Sequence, residues 1–308
     1  MPDPVKLIID TDPGVDDAVA IFMALANPGV ELLGLTSVGG NVPLARTTRN
    51  SLALLQAVGR SDIPVAKGAS RPLRGKFKYA PQFHGPGGLS LILPDPVVGA
   101  ITEGAVEFLY EQLINSEPGE VILVALGPLT NLATLLWEHP VALEQAKNIV
   151  VMGGAVNAPG NVTAKSEFNI YSDPVAAEVV FSSGLPISLI DLTACRQVSI
   201  NREQAIRLRS NHPIGSLTSK MLQSWFSKHP NRERFEFYDP LAIAMALDPA
   251  IGTVTKVDLD VGLEENDSWG VTSESGGPGE IALLIDVDTS RFFSLLEGLL
   301  EMEGLSEI

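Results

Sequence analysis

The stretch Val5–Ala26, VKLIIDTDPGVDDAVAIFMALA, sets the pattern for much of the chain. Its apolar run Val5–Ile9 predicts a buried strand, and Asp16–Ala26 predicts a helix, with Pro13 and Gly14 making the turn between them. Short strands rich in Val, Ile and Leu then alternate with helical patterns through more than half of the chain. This alternation is typical of a parallel sheet covered by helices on both faces, so we expect an α/β fold with a mostly parallel, Rossmann-like sheet.

The same signals place the later elements. The strands that we predict are 30–37, 63–66, 120–126, 148–152, 186–191, 254–261 and 281–287. The helices that we predict are 45–58, 128–138, 174–181, 202–209, 214–228, 240–247 and one from Thr289 onward. Two stretches rich in Gly and Pro, 67–99 and 153–172, are predicted to be long loops, which in a compact domain are usually functional. Because no repeat or linker divides the chain, residues 1–308 are expected to form a single domain.

The charge balance narrows the range of partners. The chain has 308 residues with 21 Lys and Arg against 37 Asp and Glu, a formal net charge of −16. Nucleic acids and anionic membranes attract positive surfaces, so we expect neither as a partner. One cysteine, Cys195, excludes an internal disulfide and indicates a reducing compartment. The start, Met1–Pro4, lacks the features of a signal peptide, and no apolar run is long enough to span a bilayer. We therefore expect a cytoplasmic protein.

Four carboxylates follow the first predicted strand within eight residues, in the run Asp10-Thr11-Asp12-Pro13-Gly14-Val15-Asp16-Asp17. One or two of them could simply cap the helix, because its positive N-terminal end favours anions. Four crowded carboxylates, however, repel one another unless a cation lies among them. Hard oxygen ligands suit Ca²⁺ or Mg²⁺. An EF-hand is excluded, because Ile21 stands where its final glutamate is required.

Read with the motifs that follow it, Asp10–Asp17 resembles the calcium-dependent nucleoside hydrolases of the inosine–uridine-preferring family. The matching motifs occur in the family's order and cover roughly residues 5–290. They are Val38-Gly39-Gly40-Asn41, His84-Gly85 with Gly88-Leu89, Leu126–Asn131 (LGPLTN), Met152-Gly153-Gly154, Gly160-Asn161, Glu167-Phe168-Asn169 and Asp239-Pro240. Taken alone, Asp239 would be interpreted as a helix cap before Pro240. Its assignment as a metal ligand comes only from the resemblance.

The resemblance implies a single α/β domain, usually a homodimer or homotetramer, that hydrolyses the N-glycosidic bond of ribonucleosides in purine or pyrimidine salvage. Ca²⁺ would be held by Asp12, Asp17, Asp239 and the backbone carbonyl of Leu126, and Asp12 would also deprotonate the attacking water. The residues that would bind the ribose are Asp16, Asn41, Met152, Asn161, Glu167 and Asn169. Physical chemistry agrees with these roles, because an anionic pocket stabilises an oxocarbenium-like transition state more than a neutral substrate.

The chain departs from the family at the leaving group. Several members place a histidine directly before the second-motif aspartate, where it protonates the departing base, and here that residue is Tyr238. A phenol is a weaker acid than imidazolium, although it can donate a hydrogen bond. His84 lies in a matching motif and could face the base instead. We interpret His229 as a solvated residue and Trp225-Phe226 as core, rather than as groups that contact the base.

Other functions remain open at this stage. Asp10-Thr11-Asp12 could be the DxD motif of a metal-dependent nucleotide-sugar transferase, but the acidic surroundings offer little compensation for two phosphates. A hydrolase of a modified nucleoside is a second alternative, because the base-facing residues depart most from the family. A non-catalytic protein that binds ribose or a nucleoside is a third. The sequence does not specify which base is preferred.

Overall fold

The main sheet is built from short apolar strands. A computed structural model describes residues 3–277 and 279–305, and within them twelve strands form one large and two small sheets. The strands are β1 (Val5–Thr11), β2 (Val30–Ser37), β3 (Val65–Lys67), β4 (Val121–Ala125), β5 (Asn148–Met152), β6 (Ile187–Ile190), β7 (Ser199–Asn201), β8 (Arg234–Glu236), β9 (Gly252–Val257), β10 (Leu259–Val261), β11 (Thr272–Glu274) and β12 (Ile281–Val287).

Twelve α-helices connect these strands in the same described residues. They are α1 (Val15–Ala26), α2 (Leu44–Ala57), α3 (Pro81–His84), α4 (Ala105–Ile114), α5 (Thr130–Glu138), α6 (Phe168–Ser172), α7 (Pro174–Phe181), α8 (Leu192–Cys195), α9 (Arg202–Arg207), α10 (Pro213–Lys228), α11 (Tyr238–Leu247) and α12 (Thr289–Leu300). Two 3₁₀ turns, Leu143–Gln145 and Pro249–Ile251, complete them.

The large sheet confirms the predicted fold class. Its eight strands lie in the order β3-β2-β1-β4-β5-β6-β12-β9, and each neighbouring pair is parallel except β12 with β9. The first six follow the order 3-2-1-4-5-6 of doubly wound nucleotide-binding sheets. The chain reverses its direction of travel across the sheet between β1 and β4. Ligands of such sheets bind outside the carboxyl ends of the strands at that reversal.

Both faces of the sheet are covered by apolar helices. Alternate residues of β1 point to opposite faces, so that Leu7 and Ile9 join one hydrophobic cluster while Ile8 joins the other. The first cluster includes α1, α10 and α11, and the second includes α4, α5 and α7. This burial on both faces is why the parallel strands carry almost uninterrupted apolar runs. In the part of the chain that the structure describes, no helix combines the length and hydropathy needed to cross a membrane.

Several predicted boundaries are wrong. The run 254–261 is not one strand: β9 ends at Val257, and after Asp258 the chain leaves the main sheet so that β10 pairs with β11. The helix predicted over 240–247 begins at Tyr238, which places Asp239 in its first turn rather than at its cap. The predicted loops contain the short helices α3 and α6. The sequence reading also missed α4 and the short strands β7, β8 and β11.

Candidate active site

A cavity of about 220 Å³ opens at the carboxyl ends of the central strands. Asn41 follows β2, Leu126 follows β4 and Met152 ends β5, and all three line this cavity. Asp16, in the first turn of α1, and Asp239, in the first turn of α11, line it from the helices. Strand ends and helix starts therefore bring together residues that lie more than 200 positions apart in the chain.

Four neighbouring acids, Asp12, Asp16, Asp17 and Asp239, form the group that we call the carboxylate wall. Asp16 and Asp239 line the cavity, whereas Asp12 and Asp17 are not among the described residues that line it. All four side chains are buried. Single carboxylate oxygens of Asp16, Asp17 and Asp239 lie within 4.8 Å of one another. One oxygen of Asp12 and one of Asp16 are buried and have no hydrogen-bond partner among the described residues. Buried carboxylate oxygens without partners are costly unless a cation or a donor satisfies them.

The pKa values of these four acids also indicate that a cation would stabilise the site. Burial raises the pKa of Asp12 and Asp239 well above the usual range, and the charge of Asp17 raises both further. Burial also raises the pKa of Asp17, with Asp16 adding to the effect, and it raises the pKa of Asp16 to about 6. A divalent cation among these oxygens would relieve both the desolvation and the repulsion. The residues present therefore fit a bound metal ion with oxygen ligands.

Asp12 is held in a space that admits no extra atoms. Its Oδ2 accepts a hydrogen bond from the backbone N–H of Asn41. A Cβ at Gly40 would lie 2.0 Å from that same Oδ2, and a Cβ at Gly127 would lie 2.7 Å from Oδ1. Glycine at both positions thus lets the backbones after β2 and β4 close on the carboxylate. Asn41 also donates from Nδ2 to the backbone carbonyl of Asp12 at 3.1 Å.

Two other aspartates of the DTDPGVDD run, Asp17 and Asp10, have different partners. Asp17 accepts hydrogen bonds from the Thr11 hydroxyl and from the backbone N–H of Gly14, which ties it to the start of α1. Asp10 accepts from the Thr36 hydroxyl and from Asn131 Nδ2, and burial raises its pKa to about 7. Asp10 is not among the described residues that line the cavity. It therefore joins β1, β2 and α5 beneath the cavity.

Helix α6 and its cap residue form another side of the cavity, with Glu167, Phe168 and Asn169 among the lining residues. Glu167 caps this helix, accepting hydrogen bonds from the backbone N–H groups of Asn169, Ile170 and Gly154 at 2.8, 3.1 and 3.0 Å. Burial nevertheless raises the pKa of Glu167 to about 7. Asn169 Nδ2 donates to the carbonyl of Leu126 at 2.7 Å, so this carbonyl lies at the cavity wall.

The remaining side of the cavity is less acidic and comes from connecting segments. We call it the base-facing wall, after the role that the family resemblance predicts for this region, and its residues are Gln82, Phe83, His84, Arg232 and Tyr238. The Arg232 guanidinium lies over the Phe83 ring, 5.4 Å from its centroid. The Tyr238 hydroxyl donates to Glu236 Oε2 at 3.3 Å. Burial, followed by the charge of Glu236, raises the pKa of Tyr238, so the phenol is protonated at neutral pH.

His84 is the imidazole on this wall, and its orientation is defined. Its Nδ1 accepts a hydrogen bond from the backbone N–H of Val15 at 3.3 Å, which assigns the proton of the neutral ring to Nε2. Burial lowers the pKa of His84 to about 4. A Cβ at Gly14 would lie 2.3 Å from Nδ1, so the ring packs directly against the turn before α1. His84 thus presents an N–H donor rather than a charged acid.

The family model described as inosine-uridine preferring nucleoside hydrolase matches residues 7–294. The chain belongs to that family. The pyrimidine-specific ribonucleoside hydrolase RihA of Citrobacter koseri is 37% identical over 94% of this chain and 96% of its own length. A plant nucleoside hydrolase structure, PpNRh1, superposes with a TM-score of 0.90 at 32% identity, covering 96% of this chain and 99% of the other. A purine-preferring ribonucleoside hydrolase from Gardnerella vaginalis has a TM-score of 0.86 at 30% identity, with coverages of 96% and 99%.

Membership in the nucleoside hydrolase family makes this chain an enzyme. All six residues predicted to bind ribose line the cavity: Asp16, Asn41, Met152, Asn161, Glu167 and Asn169. Their individual roles, and those of Asp12, Tyr238 and His84, stay predictions. The three acids whose oxygens lie within 4.8 Å of one another are Asp16, Asp17 and Asp239. This group includes the predicted ligands Asp17 and Asp239 and adds Asp16, but it does not include the predicted ligand Asp12.

Two interpretations of the leaving-group region can be compared with the structure. Trp225 and Phe226 are buried in the core, as expected. His229 is not a freely solvated residue: it stacks on Trp225 with ring centroids 4.6 Å apart and its ring nitrogens contact the carbonyls of Trp225 and Gln82. The sequence reading missed Phe83 and Arg232 as cavity residues. The position of Phe83 directly before the His84 motif was the available signal, whereas nothing in the polar run around Arg232 marked it.

Proposed function

We propose that this nucleoside hydrolase cleaves ribonucleosides to ribose and free base with the help of a Ca²⁺ ion, and that Asp12 accepts a proton from the attacking water. The observation that carries the proposal is the carboxylate wall, with its buried and partly unpartnered oxygens at the edge of a cavity. The uncharged nucleoside fits this acidic cavity better than a phosphorylated nucleotide would.

The residues that would hold the metal are Asp12, Asp17, Asp239 and the carbonyl of Leu126. Of these, Asp17 and Asp239 belong to the group of carboxylate oxygens within 4.8 Å of one another, and Asp16, the third member of that group, could take part. Carboxylate and carbonyl oxygens are the ligands that Ca²⁺ prefers, and two or three acids offset its charge without a large excess. When bound, such a cation makes a coordinated water more acidic. Asp12 is suited to receive the proton, because Asn41, Gly40 and Gly127 fix its carboxylate in one position.

The ribose would lie between α1 and α6. Asp16 and Glu167 offer acceptors for sugar hydroxyls, while Asn41, Asn161 and Asn169 offer both donors and acceptors. Breaking the N-glycosidic bond leaves positive charge on the sugar ring, as in other glycosyl hydrolyses. The anionic surroundings stabilise that charge as it develops, which lowers the barrier without requiring tighter binding of the neutral substrate.

The departing base would lie against the base-facing wall. Phe83 offers a ring face, and the Nε2–H of His84 and the guanidinium of Arg232 are hydrogen-bond donors that can stabilise electron density on the leaving nitrogen heterocycle. The Tyr238 hydroxyl already donates to Glu236. We therefore assign the main donation to His84 and a smaller contribution to Tyr238. The relatives named above include pyrimidine-specific and purine-preferring enzymes, so the proposal does not choose a base.

The test is incubation of the purified protein with inosine, uridine, cytidine and adenosine, with and without a Ca²⁺ chelator. We expect reducing sugar to be released from at least one nucleoside, with loss of activity in chelator and recovery when Ca²⁺ is added back. Absence of sugar release from all four would refute the proposal as stated. Calorimetry that shows nucleoside binding without hydrolysis would then favour a non-catalytic binding protein. Release of sugar only from modified nucleosides would favour a hydrolase of a modified nucleoside.

A further inference from the structure

A second cleft, of about 500 Å³, lies beside the active site and shares none of its lining residues. Loop residues 74–78, the end of α6 and the loop before β11 form its walls. The side chains that matter for its chemistry are Arg74, Lys76, Lys78, Tyr171, Ser172 and Trp269. We call this the basic cleft.

The charged side chains that line this cleft are mostly positive, whereas the chain as a whole is negative. It gathers three cationic side chains against one acid, Glu265, in a protein whose formal net charge is −16. Arg74 pairs with Glu265 at 3.1 Å and lies over the Trp269 ring, while Lys78 lies over the ring of Tyr171. Lys76 is exposed and makes no ion pair or side-chain hydrogen bond within the described residues. Lys78 also donates to the Tyr171 hydroxyl, so among the described residues Lys76 is the cleft cation that remains for an anion.

A hydroxyl group adds an independent signal. Ser172 is 5% exposed, lines the cleft, and its Oγ has no hydrogen-bond partner among the residues that the structure describes. Most buried hydroxyls in folded proteins have a partner, so a ligand that displaces the side chains covering this Oγ would supply the partner that the described residues do not. A hydroxyl donor beside lysine and arginine side chains is a combination that suits the oxygens of a phosphate group.

The basic cleft and the active site share two structural segments. The connection after β3 carries Arg74, Lys76 and Lys78 toward the cleft and, a few residues later, Gln82 and His84 toward the active-site cavity. Helix α6 carries Asn169 on the cavity side and Tyr171 on the cleft side. Trp269 joins them further, because its indole donates to the Tyr171 carbonyl and its own carbonyl accepts from the hydroxyl of Ser166, next to Glu167.

We propose that the basic cleft binds a phosphate group, either free or on a small phosphorylated molecule, and that its occupancy lowers the KM of the active site for nucleoside. A phosphate held by Lys76, Arg74 and the Ser172 hydroxyl orders the segment that leads to Gln82 and His84. A nucleoside that binds afterwards then has less conformational entropy to lose. By linkage, the nucleoside tightens phosphate binding by the same factor. The coupling rests on the proposed function, whereas the phosphate site does not.

Titration calorimetry of the full chain with inorganic phosphate, and separately with uridine 5′-monophosphate, tests the site. We expect saturable binding of one equivalent, with affinity about tenfold weaker in Lys76→Ala and severalfold weaker in Ser172→Ala. The Ser172 variant is informative because its hydroxyl has no hydrogen-bond partner to lose among the described residues. Lys220→Ala, an exposed lysine on α10, is the matched control and is expected to bind like wild type. Tighter binding of the monophosphate than of phosphate would identify a phosphorylated molecule as the ligand source.

Unchanged phosphate binding in both cleft variants would refute the phosphate site. Competition between uridine and phosphate would also refute it, because it would place the anion in the active-site cavity. For the coupling, we expect saturating phosphate to lower the KM of wild type about fivefold and to leave that of Lys76→Ala unchanged. An unchanged wild-type KM would overturn it. If no nucleoside is hydrolysed at all, the proposed function fails, and calorimetry still decides whether the cleft binds phosphate.

Discussion

The two walls of the active-site cavity are built in different ways. The carboxylate wall lies at the carboxyl end of β1 and in the first turns of α1 and α11, and all four acids are buried. Around Asp12 the packing leaves no room for a Cβ at Gly40 or Gly127. The base-facing wall comes mainly from the connection between β3 and α4 and from the segment between α10 and α11. It contains a phenylalanine and an arginine at the cavity mouth in place of the acids.

This difference separates the chemistry from the choice of base. Groups that hold a cation and activate water need positions fixed to a fraction of an ångström, and strand ends and helix starts provide them. Groups that accept different bases need shape more than fixed charge, and connecting segments can change without disturbing the sheet. The pyrimidine-specific relative resembles this chain over most of its sequence, and the purine-preferring relative shares its fold. We therefore expect substitutions on the two walls to differ in size and in kind.

The largest effect is expected at Asp12. Asp12→Ala removes a proposed metal ligand and the proposed base together, so we expect kcat to fall by about 10³-fold or more. Steady-state hydrolysis of the best nucleoside measures it, with exposed Asp260 changed to alanine as the control. A variant that keeps turnover within tenfold of wild type would show that Asp12 does not have this role.

Gly40→Ala tests whether rigid packing of the carboxylate wall matters in itself. The new Cβ would lie 2.0 Å from Asp12 Oδ2 and 2.9 Å from the ring of Pro128, so the carboxylate must move. We expect kcat to fall about a hundredfold. Gly99→Ala, where no atom lies within 4 Å of the new Cβ, is the matched control. Equal kcat values for the two variants would mean that the position of Asp12 is not critical.

His84→Ala examines the base-facing wall. We expect kcat/KM for nucleosides to fall about a hundredfold, because the donor to the leaving base is lost. With 4-nitrophenyl riboside, whose leaving group needs no proton, the loss is expected to be only severalfold. His139→Ala, at the C-terminal end of α5, is the control. Equal losses on both substrates would contradict a role in leaving-group activation and indicate a structural role instead.

Tyr238→Phe is expected to have a smaller effect on the same wall. Its hydroxyl donates to Glu236, so its removal costs little donation to the base, and we expect roughly a threefold loss in kcat. Tyr110→Phe on α4 is a control for loss of a phenol elsewhere. A hundredfold loss would instead make Tyr238 the main donor and would exchange the roles that we assign to Tyr238 and His84.

The last prediction concerns stability, at the cap of α6. Burial raises the pKa of Glu167 from 4.5 to about 7, so its contribution is fully present below pH 4.5 and is lost as the pH rises through 7. In chelator, the free energy of unfolding of wild type is expected to fall between pH 5 and 8 by about 3 kcal/mol more than that of Glu167→Gln. Denaturant titrations measure it, with exposed Glu144→Gln as the control. Parallel pH profiles for wild type and Glu167→Gln would contradict the raised pKa.

More of the carboxylate wall than of the base-facing wall could be predicted from the sequence, for physical reasons. The strand β1, the turn at Gly14 and the acids of α1 are close in the chain, so local patterns and the crowding of four carboxylates locate them. The approach of Asp239 to this run depends on tertiary packing and was inferred only from the family resemblance. Phe83 and Arg232 come together across about 150 residues of chain. No local periodicity predicts such a contact.

The hydrogen bond from the Trp225 indole to the carbonyl of Phe83 makes a spectroscopic label available without chemical modification. The chain has three tryptophans, and they occupy separate environments: Trp225 is buried behind the base-facing wall, Trp269 lines the basic cleft, and Trp137 is 57% exposed on α5. Replacing two at a time would give proteins whose single emission band reports one region. Nucleoside binding would then be followed at Trp225 and anion binding at Trp269, with Trp137 as the solvent-exposed reference.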